Sequence, residues 1–187
     1  MADVEHVLVY KPNLPADQPH GELLTYCDSP LDFLAKVAIS SPQSLVVFVE
    51  GDSLKERDAV LDFCAGLRGH PTTSNLPLVC VLHARHRRLL EQLSQAGVEK
   101  VAFRSQKAPL PVGPGLKNLG EPLEEILTQT CPYLQHLPVD RRKEMAYCGA
   151  YRNRLVLGRD RLLDVCENPS HQSCPFFLSP HQAEVRA

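Results

Sequence analysis

The sequence predicts an α/β protein: a five-stranded parallel sheet of the doubly wound type, followed by a small irregular cysteine-rich module. Three observations carry that expectation. Short apolar runs alternate with helical patterns through the first hundred residues, a Pro/Gly-rich stretch follows at residues 105–117, and four of the seven cysteines crowd the last third. Strands that alternate with helices, each apolar on both faces, pair in parallel through right-handed crossovers.

The elements follow in order. Val4–Tyr10, VEHVLVY, reads as a strand stopped by Lys11-Pro12. NLPADQPHG cannot be helical, because Pro15 and Pro19 interrupt any ladder of backbone bonds. Glu22–Tyr26 is a second strand. Asp28 or Ser29 then caps a helix with Pro30 at its first position, and Leu31, Leu34, Ala35 and Ala38 form its expected core face. Ser44–Glu50, SLVVFVE, is the clearest buried strand. Past Gly51-Asp52, Ser53–Leu67 is helical, with Leu54, Val60, Leu61, Cys64 and Leu67 spaced for one face. Leu78–Leu82 is a strand, His86–Ala96 a helix ended by Gly97, and Val98–Phe103 the fifth strand.

Residues 105–117, SQKAPLPVGPGLK, read as a linker, and Glu121–Thr130 as a last helix with Pro122 and acids at its start. The division expected is a body over 1–104, linker and last helix over 105–130, and a module over 131–187.

Composition excludes several classes. Net charge is −2 and the sequence pI about 6.4, so binding nucleic acid through bulk charge is not expected. The start of the chain lacks the basic and apolar regions of a secretory signal, and no apolar run reaches the ~18 residues of a membrane span. A cytoplasmic location is therefore expected, where an odd total of seven cysteines fits thiol or metal chemistry better than structural disulfides. No P-loop, nucleophile elbow, dinucleotide glycine pattern or catalytic carboxylate pair stands in the chain, so it is not read as an enzyme.

Cys131, Cys148, Cys166 and Cys174 are the candidate ligands of a bound metal centre. Four thiolates suit a [4Fe–4S] cluster and a structural zinc alike. The gaps between them are 16, 17 and 7 residues, without the close pairs of a zinc knuckle, which favours the cluster. Cys131 and Cys174 each precede a proline, which offers no competing N–H. His171 is an alternative ligand that would complete a Cys/His zinc set. Phe176, Phe177 and Leu178, with Leu155, Val156, Leu157, Leu162, Leu163 and Val165, are expected to wrap the site.

Arg141, Arg142, Lys143, Arg152, Arg154, Arg159 and Arg161 form a solvated face, or balance the thiolate charge, or make a docking patch for an acidic partner. His83, Arg85, His86, Arg87 and Arg88 form a second basic group, either a surface run or a docking patch for a partner. Cys64 and Cys80 are expected in the core, and Cys27 at a strand end open to solvent.

The stretches SLVVFVEGD, LDFCAGLRGHPTTSNLPLVCVLHA and LLEQLSQAGVEKVAFRS resemble the third to fifth strands of the response-regulator receiver family, the likeness running over about residues 4–130. The resemblance implies a receiver-like, flavodoxin-like fold whose chemistry is mostly absent. Lys11 and Pro12 stand where the family has its Mg²⁺-binding acids, and Val49 and Glu50 where it has its phosphoacceptor aspartate. His83 replaces the hydroxyl residue, and Arg104 the lysine. Glu50 or Asp52 is the only candidate for a retained phosphoacceptor. The first helix of the family is missing between the first two strands, leaving a sheet face for the tail or a second copy to cover. The expectation is a non-catalytic signalling protein, a pseudo-receiver with a redox- or iron-sensing iron–sulfur module and a protein partner or homodimer. A zinc-stabilised interaction module is the alternative, and a phosphorylatable response regulator the least favoured reading.

Overall fold

The computed structural model describes residues 6–12, 24–49, 53–104, 120–141, 143–151 and 155–180. The proline-rich segment after the first strand, Glu50, Asp52, the 105–117 linker, Arg142, Arg152 and Arg154 lie outside the described residues.

A six-stranded sheet forms the body. β1 (Val7–Tyr10) pairs in parallel with β2 (Leu24–Cys27) and with β3 (Ser44–Phe48), which pairs with β4 (Leu78–Leu82), and that with β5 (Lys100–Phe103). The expectation of five strands, all parallel, is short by one. Glu121–Pro122 adds β6, antiparallel to β5, giving the order β2-β1-β3-β4-β5-β6. Two residues escape a sequence reading because their pairing depends on where the chain returns, and the proline sits at the sheet edge, where its missing N–H costs nothing.

Alternation along the strands divides the sheet into two faces. Leu8, Tyr10, Leu45, Val47, Leu78, Cys80, Leu82 and Val101 point to one side, with the helices α1 (Pro30–Ser40), α2 (Leu54–Gly69), α3 (Arg87–Gln95) and α4 (Leu123–Gln129). Val7, Val9, Leu24, Tyr26, Val46, Phe48, Val79 and Val81 point to the other. Among the described residues all four body helices pack on the first face, so the doubly wound expectation does not hold for them. The second face is nonetheless buried, each of its residues 6% exposed or less. The described tail residues form their own cluster and do not cover it, contrary to the expectation.

Helix ends follow local chemistry. Ser29 caps α1 by accepting from the Asp32 amide, and Ser53 with Glu56 makes a reciprocal capping box on α2. The core stripe of α1 differs from the expected one. Phe33 and Val37 are buried, whereas all four expected members, Leu31, Leu34, Ala35 and Ala38, are exposed, Leu31 to 81%. Phe33 also packs edge-on against Phe63 of α2, 5.4 Å between centroids, and Tyr10 completes the aromatic group. Large rings in geometric register outcompete leucines one residue away. Cys27 is 1% exposed, not open, because the strand end lies under α1, and burial pushes its thiol up to about 12.

The tail begins with a hairpin the sequence did not announce. β7 (Leu134–Pro138) and β8 (Glu144–Cys148) pair antiparallel, and β9 (Leu155–Val156) adds to β8. A short helix, α5 (Arg159–Arg161), runs into a wider π-helical turn at Leu162–Cys166, then a 3₁₀ turn at Pro169–Ser173 and α6 (Pro175–Leu178). Among the described residues no helix is long and apolar enough to cross a membrane.

Candidate metal centre

The four tail cysteines come from four different places. Cys131 follows α4, Cys148 ends β8, Cys166 ends the π-helical turn, and Cys174 caps α6. Antiparallel pairing sets Cys148 opposite Leu134, close to Cys131, and the Cys131 amide donates to the Cys166 carbonyl at 2.8 Å. The hairpin and the π turn are thereby tied together at two of the cysteines. Gly149 donates to the Tyr133 carbonyl at 2.8 Å and closes the hairpin end beside Cys148.

All four cysteines line one small cavity of about 10 Å³, together with His171, Arg161, Tyr133, Leu157, Phe176 and Phe177. Its wall is a cluster separate from the body core, built from Leu134, Ala150 and Leu157 with half-buried Leu155, Leu162 and Val165. Val156 and Leu163, expected in the same wall, are 57% and 49% exposed, because alternate residues of the short strand and turn face outward. Leu178 is likewise exposed, at 66%.

Electrostatics within the cavity resist bare thiolates. Burial raises the Cys131 thiol, with the Cys148 and Cys174 sulfurs adding to the rise and hydrogen bonds from the Tyr133 and Leu134 amides opposing it. Cys166 is pushed up to about 12 by burial, then by Cys131 and Cys148, with Arg161 opposing. Thiolates that repel one another in a dry pocket are held there by a cation or by protons. Cys174 is the one half-exposed member, and Arg161 donates to its sulfur at 3.2 Å.

His171 is 3% exposed, its Nδ1 2.8 Å from the Asn168 carbonyl and its ring edge-on to Phe177. A proton on Nδ1 leaves Nε2 as a lone pair, the arrangement seen in metal-bound histidines. Among the described residues no group of three or more His, Cys, Asp or Glu forms a ready site for a single metal ion. The cysteines thus share a cavity without meeting at a single-ion site.

The basic groups divide differently from the sequence expectation. Arg85, His86 and Arg87 are not a free docking patch: they bind the tail and the end of the last helix. Arg85 donates to the Glu167 carbonyl at 2.9 Å and to Gln129, while its guanidinium lies over the Phe103 ring. Arg87 reaches the Leu127 and Thr130 carbonyls, both at 2.8 Å, and pairs with Glu91. Each arginine therefore holds a carbonyl next to a cysteine, Glu167 after Cys166 and Thr130 before Cys131. Only Arg88 of this run is both exposed and absent from these bonds. Sequence reasoning missed the set that joins tail to body: Arg57, His86, His136 and Glu144. Its members are separated by up to 87 positions, and no local pattern links them.

At the carboxyl end of the sheet, Lys11 and Arg104 lie over the Phe48 ring, 5.8 and 5.7 Å from its centroid, and His83 Nδ1 is 2.9 Å from the Arg104 carbonyl. The carboxyl ends of β1 and β5 are thus lined by cations. No protein-family model matches the chain, and no curated protein matches it significantly.

Proposed function

We propose that the chain is a non-catalytic regulatory protein, a pseudo-receiver whose responsive element is a [4Fe–4S] cluster held by Cys131, Cys148, Cys166 and Cys174. The convergence of four thiols, from four separate elements, on one apolar-walled cavity carries this reading. The donor set fits the group: four sulfurs, with an arginine donating to one of them. When bound, such a cluster supplies a one-electron couple whose potential is set by burial and N–H···S bonds. The chain's own part is to hold the sulfurs, exclude water with Phe176, Phe177 and Leu157, and offset negative charge through Arg161.

The pseudo-receiver half rests on the strand order β2-β1-β3-β4-β5, the order of flavodoxin-like sheets. Their ligands sit at the carboxyl ends of the strands, and here Lys11, His83 and Arg104 occupy those ends. Cations there disfavour Mg²⁺ and hence phosphotransfer to an aspartate.

A second reading, structural zinc, is favoured by the small size of the cavity and by the buried His171 with its Nδ1 tied to a carbonyl. Anaerobic purification separates the two. Brown protein with about four irons and matching acid-labile sulfide per chain is expected. Colourless protein with about one zinc selects the second reading, and protein that holds neither, with its fold unchanged in Cys148→Ser, rejects both.

A further inference from the structure

Where the tail meets the body, two imidazoles and one carboxylate form a compact group. His86, the N-cap of α3, accepts from the Leu89 amide through Nδ1 at 3.1 Å. Its Nε2 lies 2.8 Å from Glu144 Oε2, and Arg57 of α2 meets the same oxygen at 2.5 Å. His136 of β7 stacks on the His86 ring, centroids 3.6 Å apart and planes 21° apart. All lie mostly out of solvent, the His86 and Glu144 side chains at 14% and 11% exposure.

This arrangement fixes protonation. Because Nδ1 of His86 accepts a helix amide, its proton sits on Nε2, directed at Glu144, and the ring is neutral. A second proton would set N–H against N–H at the positive end of α3. His136 is worse placed to gain charge: its Nδ1 is buried without a partner, and its ring faces His86, Arg57 and Arg88, with Glu144 alone opposing. Two stacked imidazolium rings would repel at van der Waals distance. Burial lowers the affinity of both rings for protons, that of His136 to about 4.

We propose that the His86–His136 stack on Glu144 is an acid-released latch between the cysteine module and the body. Above neutrality both rings are neutral and the hairpin β7–β8 stays docked on α2 and α3. On acidification an undocked state, in which each ring has its ordinary proton affinity, gains protons that the docked state refuses. The inference does not depend on which metal, if any, the module holds.

Amide hydrogen exchange on the full metal-loaded chain at pH 7.5 and pH 5.0, corrected for intrinsic rates, tests it. With an ordinary histidine value near 6.5, each ring that must stay neutral to dock shifts the opening equilibrium by about 30-fold over this interval. Protection of the Leu54 amide, which donates across the joint to the Arg141 carbonyl at 3.2 Å, is therefore expected to fall at least about 30-fold in the native chain, with that of the Leu89 amide that His86 caps. His136→Phe keeps a flat ring on the stack but cannot titrate, and its fall is expected to be about 30-fold smaller. Equal falls in both proteins overturn the proposal. So does a His136 ring resonance, followed by NMR in the native chain, that titrates near 6.5 while the joint amides remain protected. The Gly149 amide, bonded within the module, is expected to keep its protection; its loss together with the joint means that acid unfolds the module itself, and the latch is rejected.

Discussion

At the scale of single residues, the four cysteines are not equivalent. Cys131, Cys148 and Cys166 are buried, whereas Cys174 is half exposed and faces Arg161. Under the proposed function, Cys148→Ser removes a donor that no solvent can replace and is expected to abolish metal retention. Cys174→Ser leaves an edge position that water or the serine oxygen can fill, so a larger share of the metal is expected to remain. Metal per chain after gel filtration ranks the two, and the reverse ranking would contradict the geometry. Gly120 is a second telling residue. It holds φ +91°, and a Cβ there would stand 2.8 Å from the Val101 carbonyl oxygen and 3.2 Å from Val79 Cγ1. Since both the backbone and the sheet resist, Gly120→Ala is expected to cost about 1–3 kcal/mol in urea unfolding, with the metal content unchanged.

At the scale of elements, what was legible followed local rules. β3 and β4 are continuous apolar runs, and α2 carries Val60, Leu61, Cys64 and Leu67 at core spacing, all buried as expected, while Leu54 of the same expected face is only half-buried. The α1 cap was legible for the same reason, since Ser29 acts on an amide three residues on, whereas Ser53, read as the first helical residue, is the cap of α2. Ser53→Ala is accordingly expected to lower stability by about 1 kcal/mol in chemical denaturation. Elements that depend on tertiary partners were not legible. β7 is mostly exposed and β8 half-buried, with weak alternation, and they pair where the cysteines at one end and Glu144 at the other give the hairpin two attachments. The α1 stripe was misplaced because the rings of Tyr10, Phe33 and Phe63 meet across three elements. Arg85 and Arg87 read as surface charge for a similar reason. Their acceptors are carbonyls 40 or more positions away, and a carbonyl leaves no mark on the sequence.

At the scale of the molecule, stability should be bounded by pH on both sides, for different reasons. Asp32, drawn down chiefly by its hydrogen bond to Lys36, and the latch histidines weaken the fold as pH falls. On the alkaline side the thiols act. Cys27 and Cys166 are both pushed up to about 12 by burial, and Cys80 is raised by its hydrogen bond with Cys64 and by burial. In an unfolded chain these groups lose protons near the ordinary value of about 8.5. Between that value and the folded one, the unfolded state holds fewer protons, so raising the pH draws the equilibrium toward it. The metal-free chain is therefore expected to be most stable below about pH 8 and to lose stability progressively from there to pH 10. A bound metal changes the sign for the tail, because it needs the thiolate form and releases the protons of Cys131 and Cys166 on binding. Loading zinc into metal-free protein at pH 7 should thus release at least two protons per chain, read with an indicator dye, and should flatten the alkaline decline. The part that remains belongs to Cys27 and Cys80 in the body. If zinc leaves the decline between pH 8 and 10 unchanged, the tail thiols do not hold zinc and the second reading of the centre fails.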